Sequence, residues 1–103
     1  MSIQEIEAFI PLSANLALGG QPTEAHLKEI SEVGFKTVIN LGLLDQPYSL
    51  TDEAGAVQSL GMEYHHIPVD FKSPGTRELH HFFETMDECT DRKTFVQIGR
   101  AHV

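Results

Sequence analysis

The segment Phe35–Leu41 has the sequence FKTVINL and decides the fold. Branched and aromatic side chains dominate it, without the strict polar alternation of a strand that has one face in water. Such a run is typical of a parallel strand that is covered on both faces. We therefore expect this segment to lie centrally in a sheet.

Helical patterns stand on either side of this strand. Before it, the apolar residues of 24–33 recur at near-helical spacing, with Thr23 as N-terminal cap and Gly34 as C-terminal cap. After it, a second helix is predicted from a cap at Thr51 to Gly61. The sequence thus places the buried strand between two helices.

The rest of the chain continues this alternation. Further strands are predicted at Asn15–Leu18, at Met62–Val69 and from Thr94 onward. A third helix, capped by Thr76, carries one apolar stripe, formed by Leu79, Phe82, Phe83 and Met86. Short connections between alternating strands and helices imply an α/β fold with three layers, in which helices cover both faces of a mostly parallel sheet. A ligand site is then expected beyond the carboxyl ends of the strands.

Length and charge narrow the class of protein. A chain of 103 residues accommodates one domain. Its formal net charge of −8 opposes broad binding to nucleic acid or to membrane phosphates. Its single cysteine cannot form an internal disulfide, and no apolar run suits a signal peptide or a membrane span. We expect a cytoplasmic protein without nucleic-acid or membrane partners.

Four ordered motifs carry a family resemblance. They are GGQPT at Gly19–Thr23, GFKTVINL at Gly34–Leu41, GMEYHHIPVD at Gly61–Asp70 and the helix with Phe82 and Phe83. Their spacing over residues 9–97 resembles the dual-specificity and tyrosine phosphatase-like family, most closely its bacterial branch, the phosphatase-like domain found beside β-lactamase-like hydrolases. The resemblance implies hydrolysis of phosphate monoesters through a phosphocysteine, with no metal or other cofactor and with a phosphorylated substrate as partner.

The sequence departs from the family at the catalytic loop. In the family, the strand after the third helix ends in a His-Cys pair, and an arginine follows the cysteine by a few residues. This chain instead has Gln97 and then IGRAHV, in which Arg100 has no preceding cysteine. Residues 98–103 resemble the translation of a sequencing adapter. In that reading frame only the first base of codon 97 comes from the gene. Histidine codons begin with the same base. We expect 1–97 to be the N-terminal part of one incomplete phosphatase-like domain, 98–103 to be a non-native tail, and the printed chain to be inactive.

Few other residues are candidates for the site. The resemblance implies that Asp70 is the general acid that protonates the leaving oxygen, with an ordinary loop aspartate as the alternative and Phe71 in the competing register. It also implies that Asn40 supports the catalytic loop, although Gly42 stands where the family often has an arginine. A strand-end polar residue is the plain alternative for Asn40.

The remaining motifs favour structural roles. Neighbouring histidines on a strand or helix point in different directions, so we expect no metal site at the pairs His65–His66 and His80–His81. Cys89 lacks an arginine at the phosphatase interval and is expected to pack in the core. Gly19 and Gly20 are expected to form a turn, not an anion cradle. The alternative function is a non-catalytic pseudophosphatase or protein-interaction module.

Overall fold

The structure is a computed structural model that describes residues 9–20, 22–42, 52–67 and 75–98. Its elements follow the chain in the order β1 (Ile10–Ser13), β2 (Leu16–Gly19), α1 (Glu24–Glu32), β3 (Thr37–Asn40), α2 (Glu53–Ser59), β4 (Glu63–His66), α3 (Thr76–Glu88) and β5 (Thr94–Gln97). None of these helices is long and apolar enough to cross a bilayer.

Five strands form one sheet in the order β1-β2-β5-β3-β4. Strands β2, β5, β3 and β4 are parallel, and β1 runs antiparallel to β2 at one edge. Every residue of β3 is buried between β5 and β4, so the prediction of a central strand is confirmed. The sequence did not predict β1, because its four residues are all exposed and include a proline.

Alternate residues of the strands pack against different helices. Val38 and Phe95 belong to a core cluster with Leu27 of α1 and Val57 of α2. The next residues along, such as Ile39, lie on the opposite face in a second cluster with Phe82, Met86, Val96 and Ile67. Helices therefore cover both faces of the sheet, and the predicted three-layer α/β fold is confirmed.

Capping explains where the first helix begins and ends. Thr23 Oγ1 accepts a hydrogen bond from the His26 amide at 3.1 Å, and His26 Nδ1 accepts one from the Thr23 amide at 3.3 Å. These two bonds satisfy amides that the helix leaves unpaired. Beyond the last turn, Gly34 has φ of 104°, a value that favours glycine. Both predicted caps of α1 are confirmed.

The other two predicted caps are wrong by one residue. Asp52, not Thr51, caps α2 through a 3.1 Å bond from the Gly55 amide to its carboxylate, and Thr51 lies outside the described residues. An aspartate next to a threonine offers the same short acceptor, so sequence alone does not separate them. Helix α3 begins after Gly75 without a side-chain cap, and Thr76 is its first residue.

The apolar stripe of α3 is only partly covered. Phe82 and Met86 pack against the core of the sheet, as predicted. Leu79 and Phe83, however, are 37% and 61% exposed. The stripe is broader than the surface that the described residues offer it.

Candidate active site at the carboxyl edge of the sheet

The four parallel strands end together in one row. Gly19 pairs with Gln97, Gln97 with Asn40, and Asn40 with His66, and each is the last residue of its strand. Three of these four residues carry polar side chains. In open α/β sheets the crevice beyond this edge is where ligands bind.

Asn40 shapes the backbone that leaves β3. Its Oδ1 accepts a 2.8 Å hydrogen bond from the Gly42 amide, while its Nδ2 donates to Tyr64 Oη at 2.9 Å. The side chain is buried, so these bonds satisfy groups that would otherwise be removed from water unpaired. Among the described residues Asn40 thus supports the turn after its own strand and the ring on β4.

Glu53 connects this pair to β5. Gln97 Nε2 donates to Glu53 Oε1 at 3.2 Å, and Tyr64 also hydrogen-bonds Glu53. Glu53 is 5% exposed and Gln97 is fully buried. Burial, more than the neighbouring Glu53 carboxylate, raises the pKa of Tyr64 to about 12, although the bond from Asn40 opposes the rise. The result is a buried polar network that joins β3, α2, β4 and β5.

His66 completes the row on the side of β4. Its Nε2 lies 2.7 Å from the Gly42 carbonyl oxygen, which can only accept, so Nε2 carries the hydrogen. Its ring stacks on Tyr64 with centroids 6.5 Å apart. Together with Asn40, His66 holds Gly42 from both its amide and its carbonyl.

Comparison with known proteins identifies the family to which the chain belongs. The family model described as a DSP-PTPase phosphatase fused to NAD⁺ kinase matches residues 5–101. The chain belongs to this family. The predicted membership of the dual-specificity and tyrosine phosphatase-like group is therefore confirmed. No curated protein matches the chain significantly.

Solved structures agree with the family. A protein described as a phosphatase (DUF442) from Shewanella putrefaciens CN-32 is 29% identical with a TM-score of 0.87, and the match covers 93% of this chain and 61% of that one. Tk-PTP in its active form (23%, TM-score 0.72) and a kinase-associated phosphatase with its catalytic-site cysteine changed to serine (18%, 0.74) share the fold. The match with Tk-PTP covers 89% of this chain and 62% of Tk-PTP. The match with the kinase-associated phosphatase covers 82% of this chain and 56% of that phosphatase. The chain thus spans about three fifths of the length of these phosphatases.

The single cysteine of this phosphatase-family chain lies at the other edge of the sheet. Cys89 caps the C-terminus of α3, is buried, and borders a cavity of about 260 Å³ with Leu16 and Thr94, which begin β2 and β5. Burial raises the pKa of its thiol, although the nearby Arg92 guanidinium opposes the rise. A thiol so placed is poorly suited to act as a nucleophile. The predicted packing role of Cys89 is consistent with this position.

The other predicted residues fall into two groups, those outside the described residues and Ile98, which follows β5. Asp70, Phe71 and the tail residues 99–103 lie outside the described residues, so their roles stay predictions. The amide of Ile98 donates to the Gly19 carbonyl at 2.9 Å, which extends the pairing of β5 with β2.

The two histidine pairs differ in their surroundings. His65 lies on the same face as Glu63, whereas His66 stacks on Tyr64 on the opposite face. On α3 both His80 and His81 are exposed, and His80 Nε2 lies 3.5 Å from Glu84.

Sequence reasoning missed Glu53 and Tyr64. A glutamate in the first turn of a helix is usually explained by the helix dipole, and a tyrosine in a strand by packing. No sequence signal joins two such residues to Gln97, which is 44 positions from Glu53. Only the sheet order brings them together.

Replacing Tyr64 by phenylalanine tests the network, because it changes how the free energy of unfolding depends on pH. Above pH 10 an unfolded tyrosine loses its proton, while Tyr64 in the folded protein keeps it to about pH 12. The free energy of unfolding should therefore fall between these values, by about 1 kcal/mol after allowance for partial exposure. Urea unfolding of wild type and Tyr64→Phe should show a shallower fall in the variant. Parallel pH profiles would contradict the half-buried position of this phenol.

Proposed function

We propose that the protein to which this chain belongs hydrolyses phosphate monoesters by the phosphocysteine mechanism of dual-specificity and tyrosine phosphatases. Membership of the phosphatase family over residues 5–101 supports this, as does the polar row at the carboxyl edge. The proposed substrate is a phosphorylated molecule. A thiolate nucleophile favours a reducing compartment, so the proposed location is the cytoplasm.

The observation that carries the proposal is the position of β5. This strand lies between β2 and β3, all its residues are buried, and its last residue, Gln97, meets the network of Asn40 and Glu53. A loop that follows it starts in the middle of the carboxyl edge, where ligands bind in such folds. Backbone amides at the start of a following helix would then face a phosphate.

The nucleophile in this proposal is a cysteine that follows position 97 in the native protein, not Cys89. Its thiolate attacks phosphorus, so that an S–P bond forms and the ester O–P bond breaks, and the leaving oxygen takes a proton from an acid. Water then attacks the phosphocysteine, which releases phosphate and restores the thiolate. An arginine in the same loop bonds two equatorial oxygens of the phosphoryl group. Since the printed chain has no cysteine after position 97, and Arg100 therefore has no nucleophile to serve, we expect it to be inactive.

Hydrolysis by the full-length protein tests this proposal. The protein with its native residues after Val96 should hydrolyse p-nitrophenyl phosphate without added metal, and the printed 103-residue chain should not. Rapid acid quench and mass spectrometry should find phosphate on a cysteine in the loop after β5. Replacing that loop cysteine with serine should abolish turnover and the trapped adduct.

Two results would contradict it. Phosphate trapped on Cys89 would overturn the assignment of the site to the carboxyl edge. A folded full-length protein without hydrolysis would favour the non-catalytic, partner-binding alternative.

Asp70 is the proposed general acid. Protonation matters most for a poor leaving group, so Asp70→Asn in the full-length protein should lower kcat by about 100-fold on an alkyl phosphate and much less on p-nitrophenyl phosphate. The matched control is Asp87→Asn, which removes an exposed carboxylate on α3 and should change neither rate. Equal kcat for Asp70→Asn and wild type on both substrates would contradict the role.

A further inference from the structure

A second cluster of reactive side chains lies on the face of the sheet that α3 covers, with one member at the amino end of β4. Glu63 and His65 are two residues apart on β4 and so lie on one face, the face that α3 covers. Cys89 comes from the C-terminal end of α3 above them. One ligand atom from each residue, a carboxylate oxygen, an imidazole nitrogen and the sulfur, lies within 4.8 Å of the other two.

The separation of these three atoms is close to that of metal ligands. Zinc binds sulfur at about 2.3 Å and nitrogen or oxygen at about 2.0–2.2 Å, which places tetrahedral ligands roughly 3.5 Å apart. The three side chains therefore need to contract by about 1 Å, a change that small side-chain rotations provide. A thiolate with an imidazole selects a borderline cation such as Zn²⁺ over Mg²⁺ or Ca²⁺.

An independent observation marks the same place. Nε2 of His65 is buried and has no hydrogen-bond partner among the described residues. Buried polar atoms in folded proteins are normally satisfied, so an orphan nitrogen in a cluster of candidate ligands indicates a missing partner. A bound cation satisfies the nitrogen and joins it to the two other ligands.

The surrounding charges suit a divalent ion. The Arg92 guanidinium forms an ion pair with Glu63 and a 3.1 Å bond to Asp91, while Thr37 Oγ1 donates to Glu63 Oε1 at 3.1 Å. With the Cys89 thiol ionised, the group carries two net negative charges, which a divalent cation neutralises. Thr37 and Arg92 both bond Oε1 of Glu63 and so orient its carboxylate.

We propose that Glu63, His65 and Cys89 bind one Zn²⁺ ion, with a water molecule as fourth ligand. The thiol of Cys89 releases its proton to solvent as the S–Zn bond forms. The water reaches the ion from the neighbouring cavity of about 260 Å³, whose lining includes Cys89, Thr90 and Arg92. The ion ties the end of α3 to the edge strand β4.

Cobalt is the probe for this site, because Co²⁺ replaces Zn²⁺ and absorbs light when a thiolate binds it. Cys89 is the only cysteine of the 103-residue chain, so a sulfur-to-cobalt charge-transfer band can arise from it alone. We expect one such band at a 1:1 ratio and its loss on addition of Zn²⁺. Isothermal titration should give a micromolar or tighter Kd for Zn²⁺.

Matched variants distinguish metal binding at this site from metal binding at other histidines. Cys89→Ser should abolish the band. His65→Gln should weaken Zn²⁺ binding by more than the roughly 10–100-fold that is typical when a residue that only hydrogen-bonds a metal ligand is replaced. The control is His80→Gln, which removes an exposed histidine of α3 and should leave Kd unchanged. Absence of the band in the wild-type chain, or equal Kd in His65→Gln and wild type, would overturn the proposal.

A measurement on the unmutated protein tests the site without depending on whether the variants fold. Bound Zn²⁺ should protect Cys89 from iodoacetamide in the full-length protein, as read by mass spectrometry of the tryptic peptide. An equal rate of Cys89 alkylation with Zn²⁺ and with chelator would overturn the site.

Discussion

The position of β5 between β2 and β3 is the constraint on which the rest of the structure depends. All four of its residues are buried, and both neighbouring strands bond it in parallel register. Phe95 packs with α1 and α2, whereas Val96 packs on the other face with residues of α3. Loss of this strand would divide the sheet and leave both cores without their centre.

The same strand separates two kinds of polar site. Gln97 ends at the carboxyl edge beside Asn40 and Glu53, whereas Thr94 begins at the amino edge near Cys89. The three steps from Thr94 to Gln97 span about 10 Å, and Glu63, His65 and Cys89 lie on the face of the sheet that α3 covers, so the proposed phosphatase chemistry and the proposed zinc site are separate. A thiol that packs or binds metal at one end then leaves phosphate chemistry at the other undisturbed.

The sequence predicts those parts of this molecule that depend on local pattern. The buried run around Val38 and Ile39, the caps Thr23 and Gly34, and the order of strands and helices all follow from residue type and spacing. Edge strand β1 escapes prediction because it is short and exposed. The sequence does not decide between neighbouring cap residues, because Thr51 and Asp52 offer similar acceptors.

The candidate sites were less predictable, because they depend on contacts between distant parts of the chain. Glu53 and Gln97 meet across 44 positions, and Cys89 meets Glu63 and His65 from another helix. Single-sequence patterns carry no information on such pairs until the sheet order is known. The family resemblance marks Asn40 in the sequence, and the structure adds its bonds to Gly42 and Tyr64.

The central claim is that phosphate chemistry occurs at the carboxyl end of β5. A crystal structure of the full-length protein with bound vanadate tests it most directly. The account predicts vanadate on the loop that follows position 97, in the middle of the row formed by Gly19, Asn40 and His66. Vanadate bound in the cavity beside Cys89, with none at the carboxyl edge, would contradict it.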